Sequence, residues 1–146
     1  MRRILPIVLT ALVVVAPVGA RDTALHLDTR DVLAPSYSQG KLDGSVRFYF
    51  ADESSPAVVS RLGDASTSRK TSGVGKTDAD ACRWAMLSAL LALQAQAKSL
   101  GANAVIGITS NYNQHPYASK TQFECHAGGI MVGVALKGTY AKVGGH

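Results

Sequence analysis

Acidic side chains are scarce in the second half of this 146-residue chain, where Glu124 is the only Asp or Glu after Asp80. Hydrolytic and general acid–base enzymes usually place carboxylates or histidines beside the reacting atoms. The chain also lacks a Gly-x-Ser-x-Gly segment and any pair of carboxylates that would share a cleft. We therefore predict a non-enzymatic protein with no catalytic residues and no organic cofactor.

Long apolar runs are absent beyond the first twenty residues. A positive start, Met1-Arg2-Arg3, precedes an apolar run over residues 4–18 and the small residues of a cleavage site ending at Ala20, which is the layout of a secretory signal peptide. An uncleaved anchor is the alternative, but the run is shorter than the ~20 residues that a bilayer requires. No cysteine stands at the cleavage point, which argues against a lipoprotein. We expect a periplasmic or secreted protein that is not stably inserted in the membrane after cleavage.

A dense basic patch is missing as well. Loss of Arg2 and Arg3 with the signal leaves 13 basic and 10 acidic residues, a formal net charge of about +3. Only Arg69, Lys70 and Lys76 lie close together in the sequence. Nucleic-acid-binding surfaces are more densely basic and interleaved with aromatic residues, so we expect no nucleic-acid partner. Ordinary solvated charge is the favoured interpretation, and weak attraction to anionic envelope surfaces is the alternative.

Composition divides the chain into four segments. These are a signal peptide over 1–20, an extended lead-in over 21–44, one domain over 45–140 and a flexible tail over 141–146. The alternation of Val46, Phe48 and Phe50 predicts a half-buried strand over residues 45–50. Weaker patterns predict further strands over residues 57–62, 68–72, 102–109, 122–125 and 130–136, with the polar segment 63–76 otherwise a loop.

The strongest local signal is a helix from Thr77 to Leu100. Thr77 and Asp80 match a capping box with Asp in place of Glu, and apolar residues then recur every three or four positions. Gly101 is expected to end the helix in a left-handed conformation. Together these patterns predict an α+β fold, in which one long helix packs on a small, mainly antiparallel sheet of three to five strands.

Only two cysteines occur, Cys82 and Cys125. An even number in an exported protein predicts a disulfide, which would close a loop of about 43 residues. A metal site is the alternative, with Cys82, Cys125 and His126 as ligands and His115 as a fourth. No Cys-x-x-Cys or His-x-x-x-His spacing supports that alternative. Reactive free thiols are a third interpretation.

The segment from Ser72 to Thr77 is similar to the end of a phosphate-binding P-loop, because glycines precede Lys76 and Thr77 at a helix N-terminus. The complete motif needs a further glycine where this chain has Lys70. No later strand ends in a carboxylate that would hold magnesium. A capped entry into the helix is the favoured interpretation. Contact of Lys76 and Thr77 with a passing anion is the alternative.

Several segments carry a resemblance to known families. The helix exit reads Gln-Ala-Lys-Ser-Leu-Gly-Ala-Asn-Ala-Val-Ile-Gly-Ile over residues 96–108 and resembles the helix-to-strand junction of RcsF-like and YbjQ-like α+β domains. Residues 41–46, 81–84, 87–90, 123–128 and 133–138 look like a family of small exported bacterial proteins that is often labelled "excinuclease ATPase subunit". The resemblance covers roughly residues 41 to 138.

These resemblances imply different functions. The RcsF-like one implies envelope-stress sensing or protein binding, and the YbjQ-like one implies metal binding and homo-oligomers. The family label implies ATP-driven DNA repair, which the incomplete P-loop and the predicted export both disfavour. We therefore predict a periplasmic interaction domain whose partner is an unidentified envelope protein. A metal-binding protein that uses Cys82, Cys125 and His126 is the second prediction.

Overall fold

Six strands and three α-helices form the part of the chain that this computed structural model describes, residues 11–14 and 21–144. The strands are β1 (Thr23–Asp28), β2 (Arg47–Phe50), β3 (Val58–Ser72), β4 (Ala104–Ser110), β5 (Gln122–Ala127) and β6 (Met131–Val143). The helices are α1 (Thr29–Leu33), α2 (Pro35–Ser38) and α3 (Asp78–Ser99), and a 3-10 turn spans Tyr112–Gln114. The predicted signal peptide lies outside the described residues except for 11–14, and so do residues 145–146 of the predicted tail.

Strand β6 is the centre of a single curled sheet. Along one edge it pairs with β3, and along the other it pairs first with β5 and then with β4. Strand β1 extends the sheet beyond β5, and β2 extends it beyond β4. All of these pairs are antiparallel except β2 with β4, which is parallel. The prediction of an α+β fold with a mainly antiparallel sheet is confirmed, but the sheet has six strands rather than three to five.

Helix α3 covers one face of this sheet. The Thr77 hydroxyl accepts a hydrogen bond from the Asp80 amide at 3.1 Å, so the predicted N-cap is present. Gly101 adopts a φ of 72°, which confirms the predicted left-handed helix end. The helix buries an apolar stripe against side chains from the sheet, and Met86, Leu90 and Leu93 are among the largest fully buried residues.

The segment 21–44 is more structured than the predicted extended lead-in. It contains β1, α1 and α2, and Val32 of α1 is fully buried in the core. The Gln94 side chain of α3 donates a hydrogen bond to the Lys41 carbonyl at 2.9 Å and accepts one from the Asp43 amide at 3.2 Å. The composition of this segment did not predict its structure, because its strand and helices are too short to show a clear hydrophobic period. These elements depend instead on contacts with α3 and β5.

Two further predictions of local structure were wrong at their boundaries. Residues Val58–Ser72 form one continuous strand, β3, although residues 63–67 were predicted as a loop. Strand β6 continues to Val143, although the predicted strand ended at residue 136 and the predicted tail began at residue 141. In both cases pairing between β3 and β6 overrides the weak strand propensity of Gly, Ser and Lys, because the ladder satisfies the backbone of both strands.

Among the residues that the structure describes, no helix combines the length and the apolar character that crossing a membrane requires.

Candidate functional site

The structure joins Cys82 and Cys125 in a disulfide, as the first of the three cysteine interpretations predicted. Cys82 is the fifth residue of α3 and Cys125 lies in β5, with their Cα atoms 5.9 Å apart and both side chains fully buried. The bond therefore fastens the start of the helix to the sheet from inside the core. Neither sulfur is a free thiol in this state.

His126 is separated from that sulfur pair. Successive side chains of a strand point to opposite faces, so Cys125 faces α3 while His126 lies on the outer face of the sheet. Within the described part of the chain, no group of three or more His, Cys, Asp and Glu side chains is arranged to hold a metal ion. The predicted ligand set of Cys82, Cys125 and His126 is thus not brought together. His115, its fourth member, is exposed in the loop before β5.

The N-terminus of α3 uses its own polar groups. The Thr77 hydroxyl caps the Asp80 amide, and the Lys76 ammonium donates a 3.4 Å hydrogen bond to the Ser72 carbonyl. Asp78 and Asp80 occupy the first turn, and Asp78 forms an ion pair with Arg21. This geometry supports the capped entry, because two carboxylates already complement the positive end of the helix dipole. Contact of Lys76 and Thr77 with an anion stays a prediction.

A network of ionisable side chains lies on the outer face of β1 and β5. The His126 ring contacts Asp22 through Nδ1 at 2.8 Å and Glu124 through Nε2 at 2.5 Å. The second oxygen of Glu124 lies 3.4 Å from Nε2 of His26, which is the strand partner of Glu124. The Tyr112 ring stacks on His126 with 3.9 Å between ring centroids. Two histidines and two carboxylates therefore form one connected cluster, three of them on β1 and β5 and the fourth, Asp22, just before β1.

Gly133 makes room for this stacking. A Cβ at position 133 would lie 3.0 Å from Cε2 of Tyr112, so the side chain of any other residue at this position would press against the tyrosine ring. Beside the cluster is a cavity of about 260 Å³, lined by Arg21, Asp22, Lys70 and Tyr112 among others. The cavity mixes positive, negative and aromatic groups, so its charge does not select one class of ligand.

Hydrogen bonding controls the charge of His126. Burial alone lowers its pKa, but the hydrogen bonds to Asp22 and Glu124, together with their negative charges, outweigh burial and raise the pKa above the usual 6.5. The imidazolium is therefore favoured in the folded protein. It fastens Asp22, which lies just before β1, to strand β5.

We expect this cluster to make stability depend on pH. Because the folded-state pKa of His126 is raised, its contribution is fully present below about pH 6.5 and is lost as the pH rises through the folded-state value. The loss of stability caused by His126→Gln is therefore expected to be larger at about pH 6 than at about pH 8.5. Urea unfolding of the variant and of the unchanged protein at both pH values measures this difference in the free energy of unfolding. His115→Gln, at an exposed loop position, is the control, and an equal loss at the two pH values for His126→Gln would contradict the prediction.

A second candidate site is the free edge of β3. This strand has 15 residues and pairs only with β6 among the described strands, so its other edge is open. From Asp64 to Ser72 its register with β6 has no shift, whereas two irregularities interrupt the pairing before Asp64. Nine consecutive residues therefore present a regular open edge. Of the whole strand, only Ala65 is buried.

A groove of about 520 Å³ runs beside this edge. Its lining includes Ser66, Thr67 and Ser68 of β3 and Ala92 and Gln96 of α3. Side chains of opposite parity along one strand point to opposite faces, so a groove that touches all three β3 residues follows the edge of the sheet rather than one face. The edge and the helix together bound this groove, which therefore lies along the edge to which a further strand could be added.

Sequence patterns did not reveal either candidate site. The segment 63–72 is polar and rich in Gly, Ser and Thr, which predicted a loop over 63–67 and only a short strand over 68–72 instead of one long open strand. The His126 cluster had a partial signal, because alternation along residues 122–127 places Glu124 and His126 on one face. Nothing in the sequence places Asp22 or Tyr112 beside them.

Comparison with protein-family models, with curated proteins and with solved structures found no match to this chain.

Proposed function

We propose that this protein is a non-enzymatic interaction domain of the bacterial cell envelope, and that it binds an extended segment of a partner protein along the free edge of β3. The observation that carries the proposal is the open, regular edge over Asp64–Ser72 beside the groove walled by α3. A strand added at such an edge gains main-chain hydrogen bonds, and neighbouring side chains then select its sequence.

The chemistry of the edge suits reversible binding. Exposed edge strands invite aggregation unless they carry polar or charged residues, and β3 carries Ser, Thr, Arg69 and Lys70 along its regular part. The two adjacent basic residues favour a partner segment with carboxylates opposite them. Tyr140 contributes an aromatic ring to the groove, so the segment is also expected to present an apolar side chain toward α3.

Export is part of the same proposal. The disulfide between Cys82 and Cys125 is compatible with an oxidising compartment, and the N-terminal sequence has the layout of a secretory signal. The partner is accordingly an envelope protein. Involvement in envelope stress rests only on the RcsF-like resemblance. Metal binding through Cys82, Cys125 and His126 is not proposed, because His126 lies on the other face of β5.

Site-specific photo-cross-linking in living cells tests the proposal. A photoreactive residue at Ser68 is expected to give one discrete adduct, whose protein is identified by mass spectrometry. Ser60 is the matched control, because it is an exposed serine of the same strand but lies in the irregular part of the ladder. Gln96→Trp, which fills the groove from the helix side, is expected to reduce the Ser68 adduct at least tenfold, equivalent to about 1.4 kcal/mol of binding.

Either of two results would overturn the proposal that a partner segment binds along the free edge of β3. One is the absence of any Ser68 adduct, and the other is the same set of adducts at Ser60 and Ser68. A Ser68 adduct that persists in the Gln96→Trp variant would show that the partner contacts β3 without entering the groove.

A further inference from the structure

One end of the sheet exposes three apolar side chains that no other described residue covers. Val74 and Ile130 are each 69% exposed and Met131 is 42% exposed. Val74 follows β3, and Ile130 and Met131 lie at the turn into β6. The Gly73 amide donates a 2.9 Å hydrogen bond to the Ile130 carbonyl, so the two loops lie side by side. We call Val74, Ile130 and Met131 the apolar tip.

Three basic residues lie near the apolar tip in the sequence or in the sheet. Lys76 lies two residues after Val74, and Lys70 of β3 lies opposite Gly133 of β6. The Arg21 guanidinium donates a hydrogen bond to the Gly128 carbonyl at 3.2 Å, in the turn that leads to the tip. Clusters of lysine and arginine beside apolar residues match the chemistry of a bilayer surface that contains anionic lipid.

The two loops of the tip carry no acidic side chain of their own. The segments 65–77 and 127–144, which supply both loops of the tip, contain no Asp or Glu. Asp78 pairs with Arg21, and Asp22 pairs with His126 and lines the same cavity as Lys70. Within the described part of the chain, neither Lys70 nor Lys76 takes part in a salt bridge, and Lys76 is the basic residue that follows Val74 most closely in the sequence.

We propose that the apolar tip docks on the surface of an anionic phospholipid bilayer, with Val74, Ile130 and Met131 entering the interfacial region and Lys70 and Lys76 facing lipid phosphates. Lys70 also belongs to the regular edge of β3, but Val74, Ile130, Met131 and Lys76 lie outside it, so vesicle binding and cross-linking test the two proposals separately. Each lysine near an anionic surface is expected to raise the partition coefficient about fivefold.

Co-sedimentation with vesicles tests this docking. The exported protein, purified from the periplasm, is mixed with vesicles of phosphatidylcholine containing 30% phosphatidylglycerol or none, at about 0.1 M and 0.5 M NaCl. Binding is expected only with phosphatidylglycerol and is expected to weaken at high salt, since screening shortens the reach of the lysine charges. The triple variant Val74→Ser, Ile130→Ser, Met131→Ser is expected to lower the partition coefficient at least tenfold.

Val58→Ser combined with Val59→Ser is the matched control. Val59 is also 69% exposed, but it lies at the opposite end of β3, where Val58 is the partner of Val143. This variant is expected to bind vesicles like the unchanged protein. Lys70→Gln with Lys76→Gln is expected to reduce binding roughly 25-fold if the two lysine contributions add. Circular dichroism confirms that each variant is folded.

Three outcomes would overturn the proposal. The first is no binding to either kind of vesicle. The second is binding that does not depend on phosphatidylglycerol or that the control variant weakens as much as the triple variant does. The third is a dimer in sedimentation equilibrium that the triple variant converts to monomer, which would make the tip a contact between two copies of this chain.

Discussion

Replacing both Cys82 and Cys125 with alanine is expected to lower the free energy of unfolding by about 3–4 kcal/mol. The disulfide joins residues 43 positions apart, and closing a loop of that length removes much conformational entropy from the unfolded chain. Both side chains are fully buried between α3 and β5, so their loss also removes packing at the start of the helix.

Urea unfolding with and without a reductant measures this effect. The unchanged protein is expected to lose about the same stability in reductant as the double variant loses by substitution, while the double variant is insensitive to reductant. Cys82→Ser alone is expected to be destabilised and to leave one titratable thiol at Cys125. Equal unfolding midpoints for the unchanged protein and the double variant would contradict a stabilising role for the bond.

Gly138→Ala is expected to destabilise the protein by about 1–3 kcal/mol, although it changes a single hydrogen into a methyl group. A Cβ at Gly138 would lie 2.9 Å from the Ile106 carbonyl oxygen of β4. The ladder between β4 and β6 is irregular at this point, and Gly107 has a φ of 63°. A backbone carbonyl cannot rotate away as a side chain does, so the two strands would have to separate.

Gly129→Ala provides the control for this substitution. No atom lies within 4 Å of a Cβ built on Gly129, and its φ lies outside the left-handed region. The control is therefore expected to unfold within about 0.5 kcal/mol of the unchanged protein, which is typical of a surface substitution. Thermal or urea unfolding of the two variants compares them directly. Equal free energies of unfolding for Gly138→Ala and Gly129→Ala would contradict the prediction, because they would show that β4 can move away from β6 without a loss of stability.

The same glycine shows how local sequence interpretation can fail. The last strand was predicted to end at residue 136, before Gly138, yet β6 continues through Gly138 to Val143. Glycine is present because β4 approaches closely, and that approach is invisible in the sequence around residue 138. The lead-in was misjudged for a related reason, since β1 exists through its pairing with β5 about a hundred residues away.

Other features were predictable because their causes are local. The N-cap at Thr77, the length of α3 and the left-handed Gly101 depend on residues within a few positions of each other. The pairing of Cys82 with Cys125 was also predictable, since two cysteines allow only one intramolecular bond. The position of His126 away from that pair follows from the two-residue period of β5.

The sequence by itself determined the helix with its caps, the identity of the disulfide partners and the α+β class, because short-range periodicity and residue count are sufficient for each. Only the tertiary structure decided that β3 is a long strand with an open edge, that Asp22, Tyr112 and His126 meet, and that Val74 lies beside Ile130. Each of these depends on segments far apart in the chain, whose contacts are set by strand order and register around β6 and not by the residues next to them.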